Sequence, residues 1–342
     1  MKNQTQILYG GLRALARELG NEQWRDARYT ILLDENTFQH CLPLLISMIE
    51  PLQGADFIEV PGGEDCKSLD VASQVWQTLL ENNADRKDVI VNLGGGCVCD
   101  LGGFVAAGYK RGIRHIHVPT TLLSMVDAAI GGKTAINFAG VKNSIGHFYP
   151  SSLTIIDPVF LNSLPQKEIL NGQIEMIKTA AVADALLYNS LMSNDGLSKS
   201  DIVQVARIKN RVVRADPYDH GIRKILNFGH TFGHAVEMYF QMSHGAAVGV
   251  GMLAGMDLSM KKIGLDRTIY ESYFEWINEK IAIPQYSLRD TESLLSLMRQ
   301  DKKSMGGKIL CVLLKEPGAS MIDVELSENE IRDAFLVISR KR

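Results

Sequence analysis

The chain has 342 residues, 46% hydrophobic and 22% charged, with a formal net charge of −3. That length supports two ordinary domains, each with its own core. The near-neutral balance, without any Lys/Arg block interleaved with aromatics, excludes an electrostatic case for nucleic acid.

No apolar run approaches the roughly 20 residues that a bilayer crossing needs, so no membrane segment is expected. Met1 leads into polar Lys2-Asn3-Gln4, and no secretory signal is expected. Five cysteines lack framework spacing, and Cys97-Val98-Cys99 has no second pair with which to complete a metal site. The expectation is a soluble, cytoplasmic globular protein with reduced thiols.

Along the first 160 residues, strand-like and helix-like segments alternate. Tyr29–Leu33 is a short apolar run that ends in Asp34, and Phe57–Val60 ends in the turn Pro61-Gly62-Gly63-Glu64. The spacing of Val71, Val75, Leu79 and Leu80 predicts a helix over 69–82. A buried-strand pattern over 88–93 runs into Gly94-Gly95-Gly96. Strands over 115–118 and 152–156 are closed by Pro119 and by Asp157-Pro158. Strands separated by helices of this length predict a parallel sheet, with ligands at its carboxyl ends. After Pro158 helical periodicity dominates, over about 161–260 and again over 269–281 and 292–299. A strand-like patch over 308–314 stands alone. The division is thus an α/β domain over 1–160 and an all-α domain over 161–342.

The turn Gly94-Gly95-Gly96-Cys97-Val98-Cys99-Asp100 follows a strand and opens a helix. Such glycines let the backbone approach a pyrophosphate, and they also serve helix–strand packing alone. Asp34 is placed either to hold a ribose hydroxyl or to cap a helix. Gly131-Gly132-Lys133-Thr134 looks like the tail of a phosphate-binding loop, but the leading glycine is absent and a nucleoside-triphosphatase is rejected. Lys133 and Lys142 on glycine-rich loops, with Arg111, fit either an anionic small molecule such as a phosphate monoester or a solvated face. Glu175 and Lys178, three apart among apolar neighbours, are either a surface ion pair or a buried pair kept for a metal. His230 and His234 share a helix face at four-residue spacing, and His244 follows. This cluster reads as a metal or proton-transfer site, or as histidines hydrogen-bonded within the fold.

Together these pieces resemble the 3-dehydroquinate synthase family of sugar phosphate cyclases, in the same order from about Thr30 to Leu314. The resemblance rests on Pro61–Leu69, Gly94–Phe104, Val118–Leu123 through Asp127, Gly131–Lys133 and Lys142–Gly146. It continues through Gly172–Lys178, Gly221–Arg223 with Leu226–His234, and His244–Val248. It implies a Rossmann-like nucleotide-binding domain followed by an all-α metal and substrate domain. It implies a metal, usually zinc and otherwise cobalt, held by Glu175, His230 and His244. NAD would be bound by Asp34, Glu64, Lys67, Gly94, Gly95, Gly96, Cys97, Val98, Cys99, Asp100, Thr120, Thr121, Asp127, Lys133, Lys142, Phe160, Leu161, Asn162 and Ser163. The sugar phosphate would meet Asp127, Lys133, Lys142, Asn143, Lys178, Lys209, Arg223, Asn227, His234 and Lys302, and Arg111 would take its phosphate, often from the other subunit of a homodimer.

The implied reaction turns 3-deoxy-D-arabino-heptulosonate 7-phosphate into 3-dehydroquinate. It proceeds by NAD-mediated oxidation, phosphate elimination, reduction and intramolecular aldol closure, with His234 relaying the alcohol proton. Three departures stand out. Ala246 replaces the glutamate of the usual His-Gly-Glu-Ala-Val, leaving any support that residue gives the metal missing. Ala128 and Ala129 replace two serines, and the stretch Asp216–His220 lacks a usual glutamate. Rival readings are sister cyclases of valiolone, inosose or amino-dehydroquinate type, or an alcohol dehydrogenase of glycerol dehydrogenase type. Asn227, His234 and Lys302 together favour dehydroquinate, and the cluster of cations argues against the dehydrogenase.

Overall fold

The structure, a computed structural model, describes residues 5–194, 196–301 and 308–340. By their contacts they form two compact units. One comprises the chain up to Ile169 with Ile202–Tyr218; the other comprises Leu170–Asp201 with the chain from Asp219 onward.

The first unit is built on a six-stranded sheet. Its strands are β1 (Gln6–Leu8), β2 (Tyr29–Asp34), β3 (Asp56–Val60), β4 (Val89–Gly94), β5 (Arg114–Pro119) and, after a separate hairpin of β6 (Lys133–Phe138) and β7 (Val141–Phe148), β8 (Leu153–Ile155). The order is β1-β8-β5-β4-β2-β3 with every pairing parallel. The central strands β4 and β5 are buried almost throughout, whereas the edge strand β3 is mostly exposed. Continuous runs such as Val89-Ile90-Val91 are what a sheet covered on both faces demands. The chain leaves β2 toward β3 on one side, then crosses back to β4 and continues toward β5 on the other. The sheet therefore switches direction between the carboxyl ends of β2 and β4, where ligands bind in doubly wound sheets.

Glycine decides how closely the helix Gly96–Gly108 lies on this sheet. A Cβ on Gly102 would stand 1.9 Å from Asn92 Oδ1, and one on Gly103 would stand 2.5 Å from Thr134 Cγ2. The two glycine-rich loops expected around Lys133 and Lys142 are instead the strands of the β6–β7 hairpin. Their turn is Ala139-Gly140, with φ of 50° and 78°. Positive φ at both central residues matches the right-handed twist of paired strands. A strand, not a helix, follows Gly132, which is a second reason why no triphosphate loop forms here.

In the second unit the helix His244–Ile263 is central. Residues Gly245 to Ser259 are buried without a break, so this helix is enclosed on all sides. Around it pack the helices His230–Phe240, Arg267–Lys280 and Glu328–Arg340, and the antiparallel hairpin of β9 (Ile309–Glu316) and β10 (Ala319–Leu326). Leu170–Ala183 of the helix Gln166–Ala183 belongs to this unit. The expected strand over 308–314 is β9; its partner β10 was not expected. Its signal was present, since Ile322, Val324 and Leu326 alternate with Asp323 and Glu325; a register shift between Met321 and Val324, with Asp323 at φ 56°, interrupts the pairing. Among the described residues no helix is long and apolar enough to cross a membrane.

Candidate functional site

In the second unit, Glu175, His230 and His244 each offer a ligand atom, and these atoms all lie within 4.8 Å of one another. Glu175 comes from the helix Gln166–Ala183 and is fully buried; its Oε1 lies 3.8 Å from His230 Nε2 and 3.6 Å from His244 Nε2. His230 opens one helix and His244 opens the next, so the geometry depends on how closely those helices approach. Their glycines permit it: a Cβ on Gly233 would stand 2.9 Å from Val248 Cα.

Each imidazole is turned by a contact on its far side. His230 Nδ1 lies 3.3 Å from the Phe228 carbonyl oxygen, and His244 Nδ1 lies 2.9 Å from Glu237 Oε2. Both Nε2 atoms are thereby directed at Glu175. A carboxylate oxygen and two imidazole nitrogens converging on one point, with their other nitrogens held, match the donor set and outer contacts of a zinc site. Burial, with Lys178 beside it, lowers the His230 ring to about 3, which keeps it neutral as a ligand must be. Burial acts the same way on His244, but hydrogen bonds to Glu175 and Glu237 outweigh it and hold that ring up to about 10. Two carboxylates around one imidazole therefore attract positive charge, which a cation could satisfy in place of a proton.

Lys178 forms an ion pair with Glu175, both being buried. The surface reading of that pair is thereby set aside. The His234 ring stands beside the cluster, its centroid 5.4 Å from that of His230 and 6.1 Å from that of His244. Arg223 is buried in the 3₁₀ segment Ile222–Asn227, while Asn227 at its end is exposed. Lys302 lies outside the described residues. Glu237 was not expected, although it continues the face of His230 and His234 at positions 4 and 7 along the same helix.

In the first unit the glycine turn closes tightly. A Cβ on Gly94 would stand 2.5 Å from Val98 Cβ, and one on Gly95 would stand 3.0 Å from Thr121 Cγ2. Thr120 bonds through its amide to the Gly94 carbonyl at 3.0 Å, and Cys99 Sγ faces that same oxygen at 3.8 Å. Asp34, at the end of β2, caps the helix Glu35–His40 by accepting from the Thr37 amide at 2.9 Å. The capping reading is thus realised, using Oδ1 and leaving the residue at the switch point.

Lys67 is 3% exposed and joins three segments: its Nζ donates to Asp100 Oδ2 at 2.7 Å and also to Asn143 Oδ1. Asn137, which sequence reasoning missed, donates to Glu64 Oε2 at 2.8 Å, and its Oδ1 accepts from the Asn143 amide at 2.9 Å. Burial opposes the charge on Glu64, but Lys67 and the bonds from Asn137 and Cys97 hold its carboxyl below the usual range. Burial pushes Asp100 up to about 6, against the pull of Lys67.

Thr121 Oγ1 bonds to Ser124 Oγ at 2.9 Å and opens a π turn, Ser124–Ala128, on which Asp127 sits. Asp127 forms an ion pair with Lys209, which arrives on the segment Ile202–Tyr218. Lys133 and Lys142 are exposed on the hairpin. Arg111 is exposed and has φ of 64°, following Lys110 at φ 45°. Two successive non-glycine residues in the left-handed region cost on the order of 1–2 kcal/mol each. Phe160 is buried in the 3₁₀ segment Pro158–Ser163, Leu161 is half-buried, and Asn162 and Ser163 are exposed.

Comparison with known proteins follows the same lines. Residues 57–171 match the family profile described as 3-dehydroquinate synthase N-terminal, and residues 172–304 match the one described as 3-dehydroquinate synthase C-terminal. The chain is 39% identical over 316 residues to a 3-dehydroquinate synthase of Parabacteroides distasonis, covering 89% of each. Among solved structures, it resembles 2-epi-5-epi-valiolone synthase from Streptomyces hygroscopicus, solved with NAD+ and Zn2+. The TM-score is 0.83 at 23% identity, over 99% of this chain and 98% of that one. A 2-deoxy-scyllo-inosose synthase solved with carbaglucose-6-phosphate, NAD+ and Co2+ also superposes, with a TM-score of 0.83 at 22% identity over 97% and 96% of the chains. These two likenesses show a shared fold.

Proposed function

The chain belongs to the 3-dehydroquinate synthase family, and from that premise we propose that it converts 3-deoxy-D-arabino-heptulosonate 7-phosphate to 3-dehydroquinate and inorganic phosphate, as a carbon–oxygen lyase. The observation that carries this reading is the convergence of Glu175, His230 and His244 within 4.8 Å, beside His234 and the buried Lys178.

Residues 1–160 bind NAD in this reading, through Asp34, Glu64, Lys67, the Gly94–Asp100 turn, Thr120, Thr121 and the Phe160–Ser163 segment. Residues 161–342 hold zinc or cobalt through Glu175, His230 and His244, and meet the substrate through Lys178, Arg223, Asn227 and His234. When bound, NAD supplies a reversible hydride acceptor and the metal a Lewis acid for the reacting alcohol.

The chain's own side chains do the rest. His234 takes the alcohol proton on a ring nitrogen and passes it on. Lys178, paired with Glu175, favours negative charge developing on substrate oxygens. Lys133 and Lys142 bind the substrate's anionic groups, and Asn143, next to Lys142 in the chain, accepts a hydrogen bond from Lys67. Asp127 and its partner Lys209 orient a hydroxyl. Arg111 holds the phosphate of a neighbouring subunit in a homodimer, and the strained backbone at Lys110-Arg111 supports its dedication to a ligand.

The test is direct. Protein incubated with the heptulosonate phosphate, zinc and catalytic NAD is expected to release inorganic phosphate with no net NADH. An absence of phosphate release, or NADH accumulating in proportion to substrate, overturns the assignment.

A further inference from the structure

His244 is the most open of the three clustered residues: 34% of its side chain is exposed, against 15% for His230 and none for Glu175. Packing alone holds such a ring loosely, and a half-turn about Cβ–Cγ would put Cδ2 and Cε1 where Nδ1 and Nε2 stand. Its backbone is fixed on the other side of the helix start. Ser243 Oγ donates to Asn171 Oδ1 at 2.8 Å, and a Cβ on Gly245 would stand 2.5 Å from Asn171 Cα. Neither contact reaches the ring.

The ring is reached by Glu237, whose Oε2 lies 2.9 Å from His244 Nδ1. An ionised carboxylate only accepts hydrogen bonds, so Nδ1 carries a hydrogen, and in the neutral ring that a metal requires the lone pair is then on Nε2. Glu237 comes from the helix His230–Phe240, the same helix that carries His230. One helix therefore provides His230 itself and the group that aims His244.

We propose that Glu237 is the positioning residue of His244: its carboxylate accepts the Nδ1–H, points Nε2 at the place shared by Glu175 and His230, and strengthens metal binding there. A carboxylate behind an imidazole fixes the tautomer and makes the ring a better donor. The carboxylate supporting this ring thus comes from the neighbouring helix, not from position 246, where the chain has a buried alanine. The proposal rests on the metal reading given above.

The experiment measures zinc affinity of the full chain by competition with a chromogenic chelator, alongside the visible spectrum of the cobalt(II)-loaded protein. Glu237→Ala is expected to weaken zinc binding by about 10- to 100-fold and to alter the cobalt bands. Glu237→Gln, which keeps an oxygen acceptor at the same reach, is expected to fall between the two and to preserve the metal-free fold by circular dichroism. Wild-type affinity and an unchanged cobalt spectrum in either variant overturn the proposal. So does a Glu237→Gln protein no better than Glu237→Ala, which would reduce Glu237 to a packing role. Wild-type chain that takes up no zinc overturns the metal reading and this proposal with it. Zinc uptake without phosphate release overturns the proposed reaction and leaves Glu237 to be judged on affinity alone.

Discussion

Gly251 faces Gly229 so closely that a Cβ on Gly251 would stand 2.0 Å from the Gly229 carbonyl oxygen and 2.7 Å from the Gly233 amide nitrogen. The obstacles are backbone atoms, so no rotamer change can relieve the clash. This contact sets the spacing between the helix that begins at His230 and the one that begins at His244, and with it the distance between the two imidazoles.

Gly251→Ala is therefore expected to force those helices apart. Overpacking against rigid backbone costs about 3 kcal/mol or more. The denaturant midpoint should fall accordingly, and zinc uptake should be lost with it. A variant with the wild-type midpoint and full zinc uptake would show that the helices do not need this approach.

Removing a clustered ligand should separate metal binding from proton transfer. Glu175→Ala and His230→Ala are each expected to lose zinc, measured by elemental analysis after dialysis, and to lose phosphate release. His234→Ala should retain about one zinc per chain while losing about 10²- to 10⁴-fold in rate, the usual worth of a positioned acid or base. Should His234→Ala come out of dialysis empty, the division of labour between these histidines is wrong.

The pair Asp127–Lys209 ties the π turn to the returning segment Ile202–Tyr218. With side chains only 20% and 9% exposed, loss of one partner leaves a poorly hydrated charge. Lys209→Met is expected to cost about 2 kcal/mol in urea unfolding, below the 3–5 kcal/mol range of fully buried pairs. The double variant Asp127→Asn/Lys209→Met should recover part of that loss, because the two effects share one interaction. Strict additivity would count against the pairing.

Acid should loosen the sheet unit through two histidines of β5. His115 is 1% and His117 5% exposed. Burial lowers His117 to about 4 and His115 well below its ordinary value, with His117 adding to the effect. Depressed in the folded state, these rings contribute stability that is fully present above about pH 6.5 and is lost as pH falls through the folded values. The urea midpoint should drop between pH 6.5 and 4.5, and His117→Gln should flatten that slope. Parallel pH profiles for wild type and variant would refute the assignment.

Several features are legible in the chain because their causes are local. Val89-Ile90-Val91 and Ile116 with Val118 are apolar runs that only a sheet covered on both faces accommodates. Gly94–Gly96 marks the strand-to-helix turn, since side chains there would strike Val98 and Thr121. The four-residue step from His230 to His234 places both on one helix face, and Glu237 extends that face by the same rule.

Tertiary packing alone decided the rest. Nothing near Lys67 announces Asn143, and nothing near Asp127 announces Lys209. These pairs exist because the β6–β7 hairpin and the segment Ile202–Tyr218 dock on the sheet unit. An amphipathic stripe such as Ile202, Val205, Ala206 and Ile208 states that a helix face is buried, not against which partner. The same holds for the histidines. Helical spacing puts His230 and His234 on one face, and the family resemblance is what grouped His230 with His244 and Glu175. Close contact at Gly229, Gly233 and Gly251 sets His230 against His244, with Glu237 behind it, because contacts between helices depend on surfaces that sequence spacing does not bring together.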